Sequence, residues 1–310
     1  VCAWWYDGKR MYEPLVIREC RMALVNDEHP LWPADGSGEG TGAIIPILDE
    51  DFSLGMRPGN KGIWLCLTSD AEARAEGAPT SFEAELTPWR GPPSTLTYSN
   101  NVYGLDMGYD ILRLQGTKLK LKVDGEEFEG TAYFQKVSVQ APSFPWYWGM
   151  LHFDDGSYID WFKPHATPGM TSMDDRPWRR RDFLRSPAIG TGIFHDANRG
   201  RTENFKRCEV EVSEPDGEEP LRDEQGNALP KFRIRIWNGR TQISIDVRAC
   251  SRARWTFDQP TRAGMVSHLT YNEYPLEVER IAILDEQGLR TIDDYEWIMG
   301  NAEHTWGVLH

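Results

Sequence analysis

The stretch KFRIRIWNGRTQISIDV, residues 231 to 247, alternates apolar and polar side chains on both sides of an Asn-Gly pair. Alternation with a period of two places the apolar residues on one face of an extended strand. Asn-Gly supplies the positive φ angles that a tight hairpin requires. The stretch therefore predicts two antiparallel, half-buried strands joined at Asn238-Gly239.

Segments with the same alternation recur along the chain. They include KLKLKV (118–123), GTAYFQKVSV (130–139), CEVEVS (208–213) and LEVERIAIL (276–284). Asp-Gly pairs at 124–125, 155–156 and 216–217 mark further turns, and helical periodicity is scarce. Many short strands with regular turn signals are typical of a β-sandwich or a β-barrel. We therefore predict an all-β protein with few helices.

The chain divides at a segment rich in Pro, Arg and Gly. We predict an N-terminal β-domain over residues 1–165, a connector over 166–206 and a C-terminal β-domain over 207–310, because a connector of this length often spans two domains. An internal echo favours two halves: WGMLH at 148–152 returns as WGVLH at 306–310. A duplicated β-domain would leave such a repeat.

Composition excludes several classes of function. The formal net charge of −14, from 48 acidic and 34 basic residues, disfavours binding to nucleic-acid phosphates. No apolar run approaches the ~20 residues of a membrane-spanning helix. The five cysteines are isolated, with no CxxC pair, so neither a structural zinc nor a disulfide framework is expected. We expect no metal and no cofactor.

The compartment and the oligomeric state are less constrained. No signal peptide is visible, but the sequence starts at Val1 without a methionine. We expect a cytoplasmic protein and retain an exported one as the alternative. A homodimer is one possible oligomeric state.

The stretch FPWYWGMLHFDDGSYIDWF, residues 144 to 162, carries eight aromatic side chains, one histidine and three aspartates. A two-residue turn at Asp155-Gly156 would place Phe153 opposite Tyr158 and Leu151 opposite Asp160. One face would then carry Tyr147, Phe153, Tyr158 and Asp160. The other face would carry Trp146, Trp148, His152 and Trp161. Both faces are apolar, so we expect both to be covered.

Asp160 is the principal candidate for chemistry. Loss of hydration among aromatic rings favours the protonated form of a carboxyl group. Such an acid can protonate an alkene or an enol ether, and the rings can stabilise the resulting cation. The alternative is structural: Asp160 pairs with an Arg or a backbone amide. His152 also has two possible roles, as a hydrogen-bonded histidine of the core or as an acid/base group.

Other candidate sites carry weaker signals. YGLDMGYDIL (103–112) contains Asp106 and Tyr109, and a carboxylate there could pair with Asp160 as in glycosidases. NAEHTWG (301–307) favours a structural role. A metal site built from His165, Asp174 and His195 has no specific spacing to support it.

Three motifs resemble a known family. They are WWYDG (4–8), GTAYFQK (130–136) and WYWGMLHFDDGSYIDWF (146–162). In order and rough spacing they are similar to the two-domain lipocalin-like superfamily, which includes carotenoid 1,2-hydratase (hydroxyneurosporene synthase), AttH-like proteins and fungal Diels–Alderases.

This resemblance implies two consecutive lipocalin-like antiparallel β-barrels or half-barrels with an apolar ligand cavity and no cofactor. It also matches the Tyr-x-Asp step of the hydratases to Tyr158 and Asp160. Their His-x-Trp step is absent, because Lys136 and Ser138 stand at those positions. Carotenoid hydration itself is therefore not implied.

Together these features predict an acid/base enzyme, a hydratase, isomerase or cyclase, that binds a hydrophobic isoprenoid or polycyclic molecule. The predicted catalytic residues are Asp160, Tyr158 and His152. The predicted ligand-binding residues are Trp146, Trp148, Trp161, Tyr147, Phe153, Tyr109 and Asp106. The alternatives are a non-catalytic lipocalin-like carrier of a lipophilic ligand and a carbohydrate-active protein with paired carboxylates.

Overall fold

A computed structural model shows a protein built from antiparallel β-strands. It describes residues 2–6, 11–16, 47–48, 52–56, 63–68, 81–89, 95–102, 107–139, 145–165, 190–213, 221–223, 225–260, 264 and 266–309. No α-helix occurs in these ranges, where the helical element is a 3-10 turn at Ile292–Asp294. None of the described helices has the length and apolar character needed to cross a bilayer. The predicted all-β class is confirmed.

The chain forms two compact units. The first consists of residues 1–5, 12–100 and 109–138, and the second of residues 6–11, 101–108 and 139–310. The strands lying wholly or mostly in the first unit are β1 (Cys2–Tyr6), β2 (Met11–Val16), β3 (Ile47–Leu48), β4 (Phe52–Met56), β5 (Ile63–Thr68), β6 (Ser81–Pro88), β7 (Thr95–Val102), β8 (Met107–Val123) and β9 (Glu126–Val139). β1 pairs with β2, and the others form a curled sheet in the order β3-β4-β5-β6-β8-β7, with β9 also on β8.

The second unit contains a larger sheet. Its strands are β10 (Trp146–Phe153), β11 (Tyr158–Pro164), β12 (Thr191–Asp196), β13 (Arg201–Phe205), β14 (Cys208–Ser213), β15 (Lys231–Trp237), β16 (Gln242–Ala249), β17 (Ala253–Pro260), β18 (Val266–Asp285), β19 (Gly288–Thr291) and β20 (Ile298–Leu309). The order is β13-β12-β11-β10-β20-β18-β16-β15-β14, and β17 and β19 also pair with β18. A sheet this large curls because strand twist accumulates across it.

The strand β18 organises this sheet because it serves different partners along its 20 residues. Its first half pairs with β17 and β20, from Ser267 opposite Leu309 to Leu276 opposite Gly300. Its second half pairs with β16 and β19. The first half is buried on both faces, whereas LEVERIAIL in the second half alternates between buried and exposed. That alternation is what its sequence predicts.

The turn pairs differ in how they are used. Asp124 and Gly125 have φ angles of 49° and 90°, so they form the predicted two-residue hairpin turn between β8 and β9. The hairpin β15–β16 is also confirmed, but Trp237 pairs with Gln242, so its loop has four residues. The amide of Asn238 donates to the Thr241 carbonyl oxygen at 3.0 Å. The pair at 216–217 lies outside the described residues.

One face of the second sheet packs into a continuous hydrophobic core. We call this side the core face. Its buried members are Tyr147, Leu151, Phe153, Ile159, Trp161, Phe194, Phe205, Cys208, Leu229, Phe232, Ile234, Ile236, Ile243, Ile245, Val247, Ala249, Tyr274, Leu276, Ile281, Ile283 and Ala302. Most come from the alternate positions that the sequence pattern assigns to a buried strand face.

The domain boundaries differ from the predicted ones. The hairpin β10–β11 was placed in the first domain, but β10 pairs with β20, so residues 146–164 belong to the second unit. The predicted connector also contains β12 and β13. Both differences arise from pairing between strands that are distant in sequence, β10 with β20 and β11 with β12. WGMLH lies in β10, and residues 306–309 of WGVLH lie in β20. These are adjacent strands of one sheet, so the repeat does not mark equivalent strands of two domains.

Candidate functional site

The loop between β10 and β11 sets the geometry of the aromatic hairpin. It has four residues between the strand ends, 154–157, and the Phe153 amide donates to the Ser157 carbonyl oxygen at 3.0 Å. Gly156, with φ +85°, allows its own amide to turn back to the Phe153 carbonyl oxygen at 3.0 Å. The Asp155 carboxylate accepts the Ser157 amide at 2.8 Å and so fixes the loop from inside.

This loop shifts the predicted strand register by one residue. His152 pairs with Tyr158, Met150 with Asp160 and Trp148 with Phe162. The two-residue turn expected at Asp155-Gly156 was therefore wrong. Because side chains alternate between faces, a shift of one residue moves every β11 side chain to the other set of β10 partners.

The corrected register brings the three predicted catalytic residues to one side of the sheet. Asp160 is 2% exposed, His152 3% and Tyr158 5%. Trp148 shares this side, which we call the acid face, and is buried. Trp146 also lies on it and is partly buried. Both predicted tryptophans of β10 therefore lie on the same face as the candidate acid.

The remaining predicted ligand-binding residues lie elsewhere. Trp161, Tyr147 and Phe153 belong to the core face, where they pack against aliphatic side chains. The predicted grouping of Tyr147 and Phe153 with Asp160 was wrong, because the one-residue shift in register puts Asp160 on the opposite face of the sheet. Asp106 lies outside the described residues. Tyr109 lies in β8, and its side chain is not among those described.

A row of polar side chains crosses four strands of the acid face. His152 pairs with Tyr158, Tyr158 with His195, and His195 with Thr202. The rings of Tyr158 and His195 stack with centroids 5.1 Å apart and planes 20° apart. His195 Nδ1 lies 2.9 Å from Thr202 Oγ1. Burial decreases along the row, from buried His152 and Tyr158 through half-buried His195 to exposed Thr202.

Two buried carboxylates on the acid face were not predicted. Glu273 of β18 lies directly opposite Glu303 of β20, and each is 2% exposed. Trp146 Nε1 donates to Glu303 Oε2 at 2.7 Å, and Tyr271 OH donates to Glu273 Oε2 at 3.0 Å. Asn301 also donates to Glu273.

The structural role expected for the NAEHTWG segment fits the hydrogen bond between Trp146 and Glu303. A signal was nonetheless present in the sequence. TYNEYP and NAEHTW each place an acid between aromatic and apolar residues inside a strand, where a charged side chain is seldom fully buried.

A second polar cluster occupies the end of the core face. The Tyr147 ring lies 4.4 Å from the His165 ring and 4.6 Å from the His304 ring, measured between centroids. Burial lowers the pKa of His165 to about 3 and holds the pKa of His304 well below its ordinary value. His304 Nε2 is buried and has no hydrogen-bond partner among the residues that the structure describes. Both imidazoles are therefore neutral at physiological pH.

The described residues contain no group of three His, Cys, Asp or Glu side chains arranged to hold a metal ion. A solvent-open cleft of about 540 Å³ borders the edge strand β13. It is lined by Arg201, Thr202, Glu203, Asn204, Asn238, Gly239 and Arg240. It contains none of the predicted site residues, but Thr202 connects it to His195.

No family model matches this chain, and no curated protein sequence matches it. Among solved structures it is similar to an AttH-like protein from Nitrosomonas europaea, with 12% identity and a TM-score of 0.42, over 84% of this chain and 69% of that one. It is also similar to kievitone hydratase from Nectria haematococca, with 11% identity and a TM-score of 0.41, over 84% of this chain and 71% of that one.

Proposed function

We propose that this protein is a cofactor-independent acid/base enzyme that acts on a hydrophobic small molecule of the isoprenoid or polycyclic kind. The reaction class is hydration, isomerisation or cyclisation. The observation that carries the proposal is the buried Asp160, which shares the acid face with His152, Tyr158 and Trp148. Buried ionisable groups that converge on one apolar surface are typical of active sites.

Each side chain has a distinct role in the proposed reaction. Asp160 donates a proton to a carbon–carbon double bond of the substrate. The indole rings of Trp146 and Trp148 stabilise the resulting cation through their π faces. In a hydration, His152 accepts the proton of the attacking water, and Tyr158 orients the acid. Water is excluded from a buried site, which strengthens these electrostatic interactions.

The first experiment identifies the ligand. Native mass spectrometry of the purified protein, followed by organic extraction, should reveal a bound isoprenoid or polycyclic compound. If nothing is bound, a panel of lipophilic polyenes and polycycles should produce a mass shift. The proposal fails if no ligand is recovered and no compound in the panel binds.

The second experiment separates an enzyme from a carrier. In the proposed enzyme, Asp160→Asn should reduce turnover of the identified compound by about 100-fold or more, the typical contribution of general acid catalysis. Ligand affinity should change little, because the substitution keeps the shape of the side chain. Asp293→Asn, at an exposed position on the 3-10 turn, is the matched control and should leave turnover unchanged.

A lipocalin-like carrier gives a different pattern. Asp160→Asn would then alter only affinity or stability, and no conversion of the ligand would be detected in the wild-type protein. That result would replace the proposed enzyme with the carrier.

A further inference from the structure

The polar row His152, Tyr158, His195 and Thr202 runs from the interior of the second unit to solvent. Each member pairs directly with the next across adjacent antiparallel strands. Its outer end, Thr202, lines the open cleft of about 540 Å³. The row therefore connects the neighbourhood of Asp160 to bulk water through side chains that carry exchangeable protons.

A buried acid that donates a proton in every catalytic cycle must be reprotonated in every cycle. Asp160 is 2% exposed, so direct exchange with solvent is hindered. On the neighbouring strand β12, Ile193 lies opposite Asp160, and His195 is two residues farther along. Diagonal neighbours of this kind have Cβ atoms ~7–8 Å apart, within reach of an aromatic side chain.

His195 has the chemistry that such a transfer requires. Histidine is the side chain whose ordinary pKa lies nearest neutrality, so imidazole and imidazolium are both populated. The ring is half-buried and is held on two sides, by the stack on Tyr158 and by the contact with Thr202 Oγ1. These two contacts fix the position of the His195 ring, and the exposed Thr202 keeps the outer end of the row in contact with solvent.

We infer that His195 is a positioning residue that returns a proton from solvent to Asp160 after each turnover. This inference rests on the proposed function. His152 cannot replace His195 in this role, because it lies at the buried end of the row and is 3% exposed.

The protons balance over one cycle of hydration. Asp160 loses its proton to the substrate carbon, and water adds to the cation and gives one proton to His152, which loses it to solvent when the site opens to release the product. The His195 imidazolium then gives a proton to the Asp160 carboxylate, directly or through the Tyr158 hydroxyl. Neutral His195 regains a proton from water in the cleft. The net change is the addition of one water molecule to the substrate.

Several described groups on the acid face influence the charge of His195. Tyr158 and Asp160 face it from β11, and Thr202 and Asn204 lie beside it on β13. His152 lies one strand farther away on β10. Of these groups, Asp160 carries the carboxyl group that exchanges a proton with the imidazole in the inferred step, so the protonation of one should affect that of the other.

The first arm of the test needs no substrate. The imidazole titrations of the full-length protein are followed by NMR in wild type and in Asp160→Asn. Removal of the group that exchanges a proton with His195 should shift the His195 midpoint by about half a unit or more. His268, which pairs with Asp258 at 2.6 Å, is the internal control and should not move. An unchanged His195 midpoint would overturn the inference.

The second arm uses the compound identified for the proposed function. His195→Gln should lower turnover by about tenfold or more at low buffer concentration, and added imidazole should restore it, because a diffusing base replaces the lost side chain. Thr202→Val keeps the imidazole but loses its contact with the hydroxyl, and should give an intermediate loss. His268→Gln is the matched control. Loss of turnover that imidazole does not restore would indicate a structural role and overturn the inference.

The two arms separate the two proposals. Turnover with an uncoupled His195 would reject the relay and keep the enzyme. Coupled titration in a protein that binds ligand without converting it would reject both the enzyme and the return of protons by His195. Coupled titration together with rescue by imidazole would support both.

Discussion

At the scale of single residues, two buried carboxylates of the acid face accept hydrogen bonds from neighbouring side chains. Glu273 accepts from the Tyr271 hydroxyl and the Asn301 amide, and Glu303 accepts from the Trp146 indole. Burying a carboxylate is costly unless such donors compensate for its lost hydration. The donors are therefore as important to this face as the acids themselves.

Tyr271→Phe tests this compensation. The substitution removes the hydroxyl that lies 3.0 Å from Glu273 Oε2 and keeps the ring. Loss of the donor leaves a buried acceptor unsatisfied, which should lower the free energy of unfolding by about 1–3 kcal/mol. Urea denaturation followed by tryptophan fluorescence measures the change.

Tyr295→Phe is the matched control. The Tyr295 hydroxyl is buried, and no hydrogen-bond partner for it exists among the described residues. Its removal should leave the urea midpoint unchanged or raise it. Equal losses in the two variants would show that the hydroxyl of Tyr271 does not stabilise Glu273.

At the scale of the element, the hairpin β10–β11 depends on one glycine. Gly149 pairs with Trp161, and the indole lies directly over it on the core face. A Cβ at Gly149 would stand 2.2 Å from Trp161 Cζ2 and 2.8 Å from the Asn301 carbonyl oxygen. An aromatic ring that covers a glycine on the opposite strand is a known device for fixing register.

Gly149→Ala should therefore destabilise the second unit. One neighbour of the new methyl group is backbone, so the clash cannot be relieved by a rotamer change alone. Overpacking of this kind typically costs about 1–3 kcal/mol. Gly239→Ala, where a Cβ would meet nothing within 4 Å, is the control. The packing role of Gly149 would be refuted if both variants unfolded at the wild-type urea concentration.

At the scale of the whole second unit, a network of charges joins distant hairpins. Arg290 contacts Asp196 and Asp285, each at 2.9 Å. Arg199 reaches Asp285 at 3.3 Å and so links the turn between β12 and β13 to the turn between β18 and β19. These hairpins are far apart in the order of the sheet, so the network joins strands that do not pair with one another.

The buried histidines make the stability of this unit depend on pH. The unfolded chain protonates His165 near its ordinary pKa of 6.5, whereas the folded state does so only near pH 3. The unfolded state therefore binds more protons between these values, and stability should fall as the pH falls from about 6.5 towards 3. The slope for one such group approaches about 1.4 kcal/mol per pH unit. His304 contributes in the same direction.

A series of urea titrations between pH 7 and pH 4 measures this dependence. His165→Phe keeps an aromatic ring against Tyr147 and removes the titrating group, so its midpoint should fall less steeply with acidification. An unchanged slope in this variant would contradict the assignment of the effect to His165.

Much of the architecture could be predicted from the sequence. The alternation in KFRIRIW and QISIDVRA identifies both strands and assigns Phe232, Ile234 and Ile245 to the core. Asp124-Gly125 identifies a two-residue turn. These features are local, because the side-chain period of a strand and the φ angles of a turn depend on adjacent residues alone.

The composition of the acid face could not be predicted in the same way. The sequence singles out Asp160 as a candidate acid, but its neighbours depend on a four-residue loop whose hydrogen bonds involve Asp155 and Ser157. His195 and Glu303 reach this face only because β12 and β20 pair with the aromatic hairpin. Local alternation identifies strands such as β14, β15 and β16 and the apolar side of each, but β12 and β13 fall in the segment predicted as a connector. Which strands become neighbours, and in what register, depends on the tertiary structure, because the packing of the whole sheet selects the pairing between distant segments.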